Sequence, residues 1–252
     1  MIDLALDQQA NPLLWKCVIG PLRRLRILQR RLGTRELHCA YFGARFLVDL
    51  QNSYGFDVAT RRFEHGDLAR LVRAVWRMRP RVFVDVGANM GIYSSIVGSL
   101  DPTIRIVSLE PDPAIFATLQ RQIAYDGLQS RTTLLRAAAG ASDGQEVGIM
   151  RGSGDKHLWT YVTHDSEGYC RAPLLTLDAL DLPRDDCIGI KIDVDGYELE
   201  VLRGAADLFN RNRGYAQIEA LGENIAAVAD WMVAAGWRAV ERYGINSMFE
   251  KV

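Results

Sequence analysis

Apolar and polar positions alternate along this chain in two rhythms. Short continuous apolar runs lie at Val82–Val86, between the next helix and Glu110, at Thr132–Ala138, at Ile188–Ile192 and at Tyr215–Ile218. Runs of this length, bounded by turn residues, predict strands buried on both faces. Between them apolar residues recur every three or four positions. Gly66–Met78, the stretch after Gly91, Pro113–Tyr125 (Ile115, Phe116, Leu119, Ile123), Tyr197–Phe209 and Asn224–Ala235 therefore read as helices. Strand and helix in strict alternation predict an α/β fold with a doubly wound, mostly parallel, Rossmann-like sheet. Trp237–Glu241 and Met248–Val252 close the chain as a hairpin around Tyr243-Gly244, which would make one edge strand antiparallel. Shorter strand-like runs fall near Cys39–Phe42, Phe46–Leu50 and Val147–Met150. Arg151–Tyr169 is polar and reads as irregular, and a loop of that length inside a domain is usually functional or disordered.

The N-terminal part follows another pattern. Leu14, Trp15, Val18, Leu22, Leu25, Leu28 and Leu32 recur at helical spacing, interleaved with Lys16 and five arginines between Arg23 and Arg31, with no acid before Glu36. Such a basic amphipathic segment, residues 13–35, suits an anionic membrane surface, an acidic partner, or packing on the main domain or a second subunit. Pro21 should kink it. The chain divides on this reading into an extension, residues 1–62, and a nucleotide-binding domain, residues 63–252.

Chemistry concentrates after the first strand of that domain. Asp85-Val-Gly87-Ala-Asn89-Met-Gly91 forms a glycine-bearing strand-to-helix turn, and Glu110 ends the next strand 19 positions beyond Gly91. A carboxylate near that spacing reaches a ribose diol. A dinucleotide site needs a middle glycine so that backbone amides can approach a pyrophosphate. Asn89 stands there instead, and Asp85 adds negative charge. Both suit a ligand with a cationic head and no phosphate, as in S-adenosylmethionine. Gly87 and Gly91 would let the backbone approach its methionine part, Asp85 and Asn89 would contact the ammonium and carboxylate, and Ala137 and Ala138 are small enough to lie against adenine. A nicotinamide-dependent oxidoreductase shares the sheet and the ribose acid, and the missing glycine argues against it.

More acids close the later strands: Asp193 and Asp195 after the fourth, Glu219 at the end of the fifth. In such sheets ligands sit beyond the carboxyl ends of the strands. Candidate general bases are Asp193, His157, His164 and Glu219, histidine being the group that titrates near neutrality. Asp193, Asp195 and Glu219 could instead hold magnesium or calcium, whose ligands are oxygens. They could equally do no more than position Lys191 and cap helices. Trp159 and Tyr161 would offer a sugar a stacking face, or be half-buried strand residues.

The motifs D-V-G-A-N-M-G (85–91), L-E-P-D-P (109–113), L-T-L-D-A-L (175–180), K-I-D-V-D-G-Y-E (191–198), V-L-R-G-A (201–205) and I-E (218–219) together resemble the FkbM-type methyltransferases. The resemblance covers about Glu64 to the C-terminus and implies a class I methyltransferase fold and S-adenosylmethionine-dependent O-methylation of a hydroxyl on a sugar, glycan, glycolipid or secondary metabolite. It also implies that Glu64 closes over the methionine end and that Asp193 lies where the methyl is delivered. Asp195 departs from the family pattern, which usually shows Glu, so a direct substrate role for it is in doubt.

Composition bounds the rest. A 48% hydrophobic share in 252 residues supports a buried core, and a net charge of −1 gives no global pull towards nucleic acid. Neither a long basic face nor the strand-end motif of base-flipping enzymes is present, so nucleic acid is not an expected partner. Cys17, Cys39, Cys170 and Cys187 form no C-x-x-C pair, which argues against zinc and for a reducing, cytoplasmic setting, at the inner face of the membrane if residues 13–35 bind lipid. No apolar run approaches ~18 residues, and Asp3 and Asp7 precede the first apolar stretch, the wrong order for a signal peptide. A homo-oligomer and a non-catalytic cofactor-binding module tethered through the N-terminal helix are further readings of the same residues.

Overall fold

In the computed structural model an antiparallel hairpin, β1 (Glu36–Tyr41) and β2 (Ala44–Asp49), leads into two helices, α1 (Ser53–Ala59) and α2 (His65–Met78). The structure describes residues 36–51, 53–153, 158–163 and 168–252, together with Arg24. Apart from Arg24, the basic segment 13–35 lies outside the described residues, as do His157 and His164. Alternation then sets in: β3 (Val82–Val86), α3 (Ile92–Leu100), β4 (Arg105–Leu109), α4 (Pro113–Asp126) and β5 (Thr132–Leu135). Four strands follow, β6 (Ala138–Ala139), β7 (Glu146–Ser153), β8 (Leu158–Thr163) and β9 (Cys170–Leu175). The chain ends with β10 (Cys187–Ile192), α5 (Glu198–Arg203), α6 (Ala206–Arg211), β11 (Arg213–Glu219), α7 (Asn224–Ala234), β12 (Arg238–Tyr243) and β13 (Asn246–Lys251).

The main sheet has seven strands in the order β12-β13-β11-β10-β3-β4-β5. From β11 to β5 every pairing is parallel. The C-terminal hairpin closes one edge as expected, but its antiparallel member is the inner strand. β13 pairs antiparallel with both β11 and β12, and β12 is the edge. The chain winds outwards from β3 through β4 to β5, then returns to β10 on the other side of β3. That reversal opens a crevice at the carboxyl ends of β3 and β10.

Strand parity sorts the side chains into two cores. Val82, Val84, Val86, Ile188, Ile190 and Ile192 pack with Val201, Leu202, Phe209 and Met232 from α5 to α7. Phe83, Ile104 and Ile106 face the other way, onto Leu68 and Leu71 of α2, Ile96 of α3 and Leu119 of α4. Tyr41, Phe46 and Val48 of the β1–β2 hairpin and Phe56 and Val58 of α1 belong to this second core. Helices on both faces of a sheet bury it completely, and for this reason β3 and β10 are apolar at nearly every position.

Three expectations change. Where it is described, Arg151–Tyr169 is largely strand: Arg151–Ser153 completes β7 and Leu158–Thr163 forms β8, an antiparallel pair. Leu-Trp-Thr-Tyr-Val-Thr is rich in β-branched and aromatic residues, which suit a pleated surface and outweigh the polar flanks. With β6 and β9 these strands make a separate four-stranded sheet in the order β6-β9-β7-β8. The third long strand is likewise divided, β5 in the main sheet and β6 in the small one. The helix expected at Tyr197–Phe209 is two short helices divided at Gly204-Ala205, and Gly204 lies so near the carbonyl of Gly140 that a Cβ would sit 1.9 Å from its oxygen.

Gly87 closes the crevice floor. It has φ +78°, and a Cβ built on it would lie 1.8 Å from the carbonyl oxygen of Asp193. Gly144 has the same φ with nothing within 4 Å. Gly87→Ala should therefore cost at least ~2 kcal/mol and Gly144→Ala about 1 kcal/mol, the backbone cost alone. Urea unfolding of the two variants side by side checks this; equal losses would mean that the close approach to Asp193 is unimportant.

Candidate functional site

A cleft of about 1050 Å³, open solvent at its mouth included, lies at the carboxyl ends of β3, β4, β10 and β11. The turn between β3 and α3 forms one wall, and the loop after β10 forms another. Ala137 and Ala138, where the chain enters the small sheet, line the cleft together with that sheet's Ile149, Tyr161 and Val162. Tyr54 and Phe63, with ring centroids 5.7 Å apart, border the side nearest α1 and α2.

Glu110, one residue beyond β4, anchors one end. It is buried, and its two carboxylate oxygens accept the backbone N–H groups of Asn89 at 3.0 Å and Asp112 at 2.9 Å. Burial pushes its carboxyl up to about 7, against the pull of those two N–H groups. Asn89 is left-handed at φ 49°, which turns its N–H towards Glu110, while its side-chain oxygen accepts the N–H of Met90. Asp112 caps α4 by accepting from Ala114 and Ile115. The same carboxylate receives the forked guanidinium of Arg151 from β7, at 2.9 and 3.0 Å. Arg151 in turn lies 3.8 Å from the ring centroid of Tyr169. A two-pronged arginine contact fixes angle as well as distance, so the small sheet is held at a set orientation to the end of β4.

Asp85 and Gly91, both expected at the ligand, do not line this cleft. Asp85 shares the parity of Phe83 and so faces α3 rather than the crevice. Its carboxylate accepts the N–H and hydroxyl of Ser94, whose oxygen is 2.8 Å from that of Ser108. It thus satisfies the first turn of α3 from inside the sheet, and burial raises its pKa to about 6. A Cβ on Gly91 would meet Leu119 at 2.6 Å, so that glycine serves the packing of α3 on α4. Gly87 does line the cleft, while its close neighbour is Asp193.

The other end is acidic and built around a lysine. Lys191 is 1% exposed on β10, with its ammonium 3.2 Å from Asp193, 4.0 Å from Glu219 and 3.4 Å from the side-chain oxygen of Asn246. The ring of Tyr93 lies 5.2 Å from it. Burial alone would lower its pKa; Asp193, Glu64 and Glu219 hold it up at about 12. Carboxylate oxygens of Glu64, Asp193 and Glu219 lie within 4.8 Å of one another. Glu64 precedes α2 in a left-handed conformation (φ 39°) and, rather than capping that helix, accepts the hydroxyl of Tyr93. Burial raises Glu64 to about 7, opposed by Lys191 and reinforced by Asp193. Burial, then Asp193, raises Glu219 to about 8, against the pull of Lys191. Asp195, left-handed at φ 48°, is pushed up to about 6 by burial and then by Asp193 and Glu198.

The expected metal triad is thus altered. Glu64 takes the place of Asp195 in the cluster, and the ammonium of Lys191 is already its cation. A divalent ion added there would face that buried positive charge at short range. Lys191 and Tyr93 are the members that sequence reasoning undervalued. The available signal was a charged residue at a buried-strand position, where an unpaired ammonium is not tolerated.

Glu64, Glu110 and Glu219 all have folded-state pKa values above the usual glutamate range. Carboxyls of this kind support the fold most below their unfolded pKa, and that support is lost as pH rises through the folded value. The urea midpoint should fall from about pH 4.5 to about pH 8, and Glu219→Gln should flatten the fall. A midpoint that rises over that window, or an unchanged slope in the variant, would contradict this electrostatic picture.

No curated protein sequence matches the chain. Among solved structures it is similar to the precorrin-6y C5,15-methyltransferase of Geobacter metallireducens, with 15% identity, TM-score 0.45, 74% of this chain covered and 87% of that one. It is also similar to the riboflavin-derivative dimethyltransferase RosA of Streptomyces davawensis (14%, TM-score 0.45, 78% and 56%). TYW2 of M. jannaschii, solved with AdoMet, is a third (10%, TM-score 0.42, 86% and 87%). The profile described as "Methyltransferase FkbM domain" matches residues 85–240, which hold Glu110, Lys191, Asp193 and Glu219. The chain belongs to the FkbM methyltransferase family.

Proposed function

We propose that this protein is an S-adenosylmethionine-dependent O-methyltransferase acting on a hydroxyl of a sugar, glycan, glycolipid or secondary metabolite. The observation that carries the reading is the polarity of the cleft: one buried carboxylate at the end of β4, and a carboxylate cluster at the ends of β10 and β11. The donors fit the cofactor. Each oxygen of Glu110 is engaged by one N–H and keeps a lone pair for a ribose hydroxyl. Ala137, Ala138 and Ala139 leave a flat surface for adenine. Asn89 lines the cleft where a diphosphate would need bare backbone. Glu64, Asp193, Asp195 and Glu219 supply negative potential at the opposite end, where a cationic ligand is stabilised and an anionic one repelled.

S-adenosylmethionine, when bound, supplies a methyl group already activated on a sulfonium. The protein then has to hold the acceptor oxygen in line within about 3–3.5 Å of that carbon and exclude water. Asp193 follows β10 directly and borders the cleft, so it is the residue we place beside the transferring group. Tyr54, Phe63 and Tyr161 give the cleft aromatic surface, as a sugar face requires. Lys191 supplies the cation in the cluster, so the reading needs no metal.

Thermal-shift and calorimetric titration test the cofactor. S-adenosylmethionine and S-adenosylhomocysteine should stabilise the protein and NAD should not; the reverse pattern would overturn the proposal. Glu110→Ala should weaken S-adenosylmethionine binding roughly ten- to hundredfold, the worth of one or two hydrogen bonds to a charged group. A radiolabelled methyl-transfer screen over free sugars, glycolipids and polyols tests the acceptor, with transfer expected to persist in EDTA. Tight cofactor binding with no transfer to any acceptor would instead favour a non-catalytic module.

A further inference from the structure

Glu219 differs from its neighbours in the acidic cluster. Asp193 is paired with Lys191 at 3.2 Å, and Glu64 is held by the hydroxyl of Tyr93. Glu219 lies 4.0 Å from Lys191, beyond hydrogen-bonding range, and its carboxylate accepts no hydrogen bond among the described residues. It lines the cleft from the end of β11. The groups around it are Lys191 and Asp193 from β10 and its end, Asp195 in the following loop, Glu64 ahead of α2, and the phenol of Tyr54 on α1. Tyr93 on α3 and Asn246 on β13 bear on it through Glu64 and Lys191. Three carboxylates within 4.8 Å of one another around a single ammonium disfavour one another's ionisation, and a second positive charge in the cleft relieves that repulsion.

We propose that Glu219 is the general base of the methyl transfer, and that the positive charge of the bound cofactor is what ionises it. The inference rests on the cofactor reading above and adds to it the residue that moves the proton. Without a cation in the cleft, Glu219 keeps its proton, in accord with a pKa raised to about 8 by burial and by Asp193. A sulfonium brought into the cleft favours the carboxylate, and the proton leaves to solvent. During transfer Glu219 accepts the acceptor's hydroxyl proton while the oxygen lone pair forms the bond to the methyl carbon. The carbon–sulfur bond breaks and its electron pair stays on sulfur. The products are a methyl ether, a neutral thioether and a protonated Glu219. Loss of the sulfonium charge thus restores the state in which Glu219 favours its proton, so the base is active only while an unreacted methyl donor is present.

S-adenosylhomocysteine carries the same adenosine and amino-acid groups with a neutral sulfur, so a pair of titrations isolates the sulfonium. Calorimetry at about pH 7.5 in phosphate and in Tris measures protons released on binding. Binding of S-adenosylmethionine should release roughly half a proton per site more than binding of S-adenosylhomocysteine. Glu219→Gln should abolish the excess, and Glu219→Asp, which keeps the carboxyl, should retain part of it. An equal release for the two ligands in the unmodified protein would overturn the inference and leave the cofactor reading standing. An excess undiminished in Glu219→Gln would overturn it too, moving the proton to Glu64 or Asp195. Failure of both ligands to bind would instead refute the cofactor reading and this one with it.

Discussion

A single ammonium buried in the central sheet organises this site. Lys191 lies on a strand with neighbours on both sides and helices over both faces, where an unpaired charge would cost several kcal/mol. Counter-charges have to come to it, and they come from three parts of the chain: Asp193 from its own strand end, Glu219 from the adjacent strand, Glu64 from the entry to α2. Each of those positions is thereby fixed relative to the others. The lysine makes a dense group of carboxylates tolerable at that end of the cleft.

Topology supplies the space. Because the chain winds outwards from β3 and then returns to β10, the loops at the two strand ends diverge instead of crossing. Gly87 and the carbonyl of Asp193 close the floor of the resulting crevice. Local backbone cost gathers on its walls, where Glu64, Asn89 and Asp195 are all left-handed without being glycine. Each such residue stores of order 1–3 kcal/mol that only the surrounding packing can sustain. The stable sheet therefore carries a rim held in conformations the chain would not choose alone.

The framework was readable from the sequence because buried parallel strands and amphipathic helices leave strong periodicities. The turn at Gly87–Gly91, the acid at Glu110 and the strand-end acids all fall where spacing put them. Relations between distant residues were not readable. The spacing of Gly91 gave no hint of Leu119, nor Gly204 of Gly140. Asp85 was misread for a local reason, since counting alternation from Phe83 would have turned it towards α3. The small sheet was legible only in part: Val147–Met150 reads as a strand, while the polar residues between Ser153 and Leu158 and after Thr163 obscure the alternation of β8. Lys191 was visible as an oddity, but its meaning depended on Glu64, more than 120 positions earlier.

The attachment of the small sheet separates two requirements that many ligand sites must reconcile. The β7–β8 pair lies within that sheet, and the fork of Arg151 on Asp112 ties it to the end of β4. That sheet shares no backbone ladder with the seven-stranded framework. The side chains it contributes to the cleft, Ile149, Tyr161 and Val162, can therefore change without disturbing the registry of the central strands.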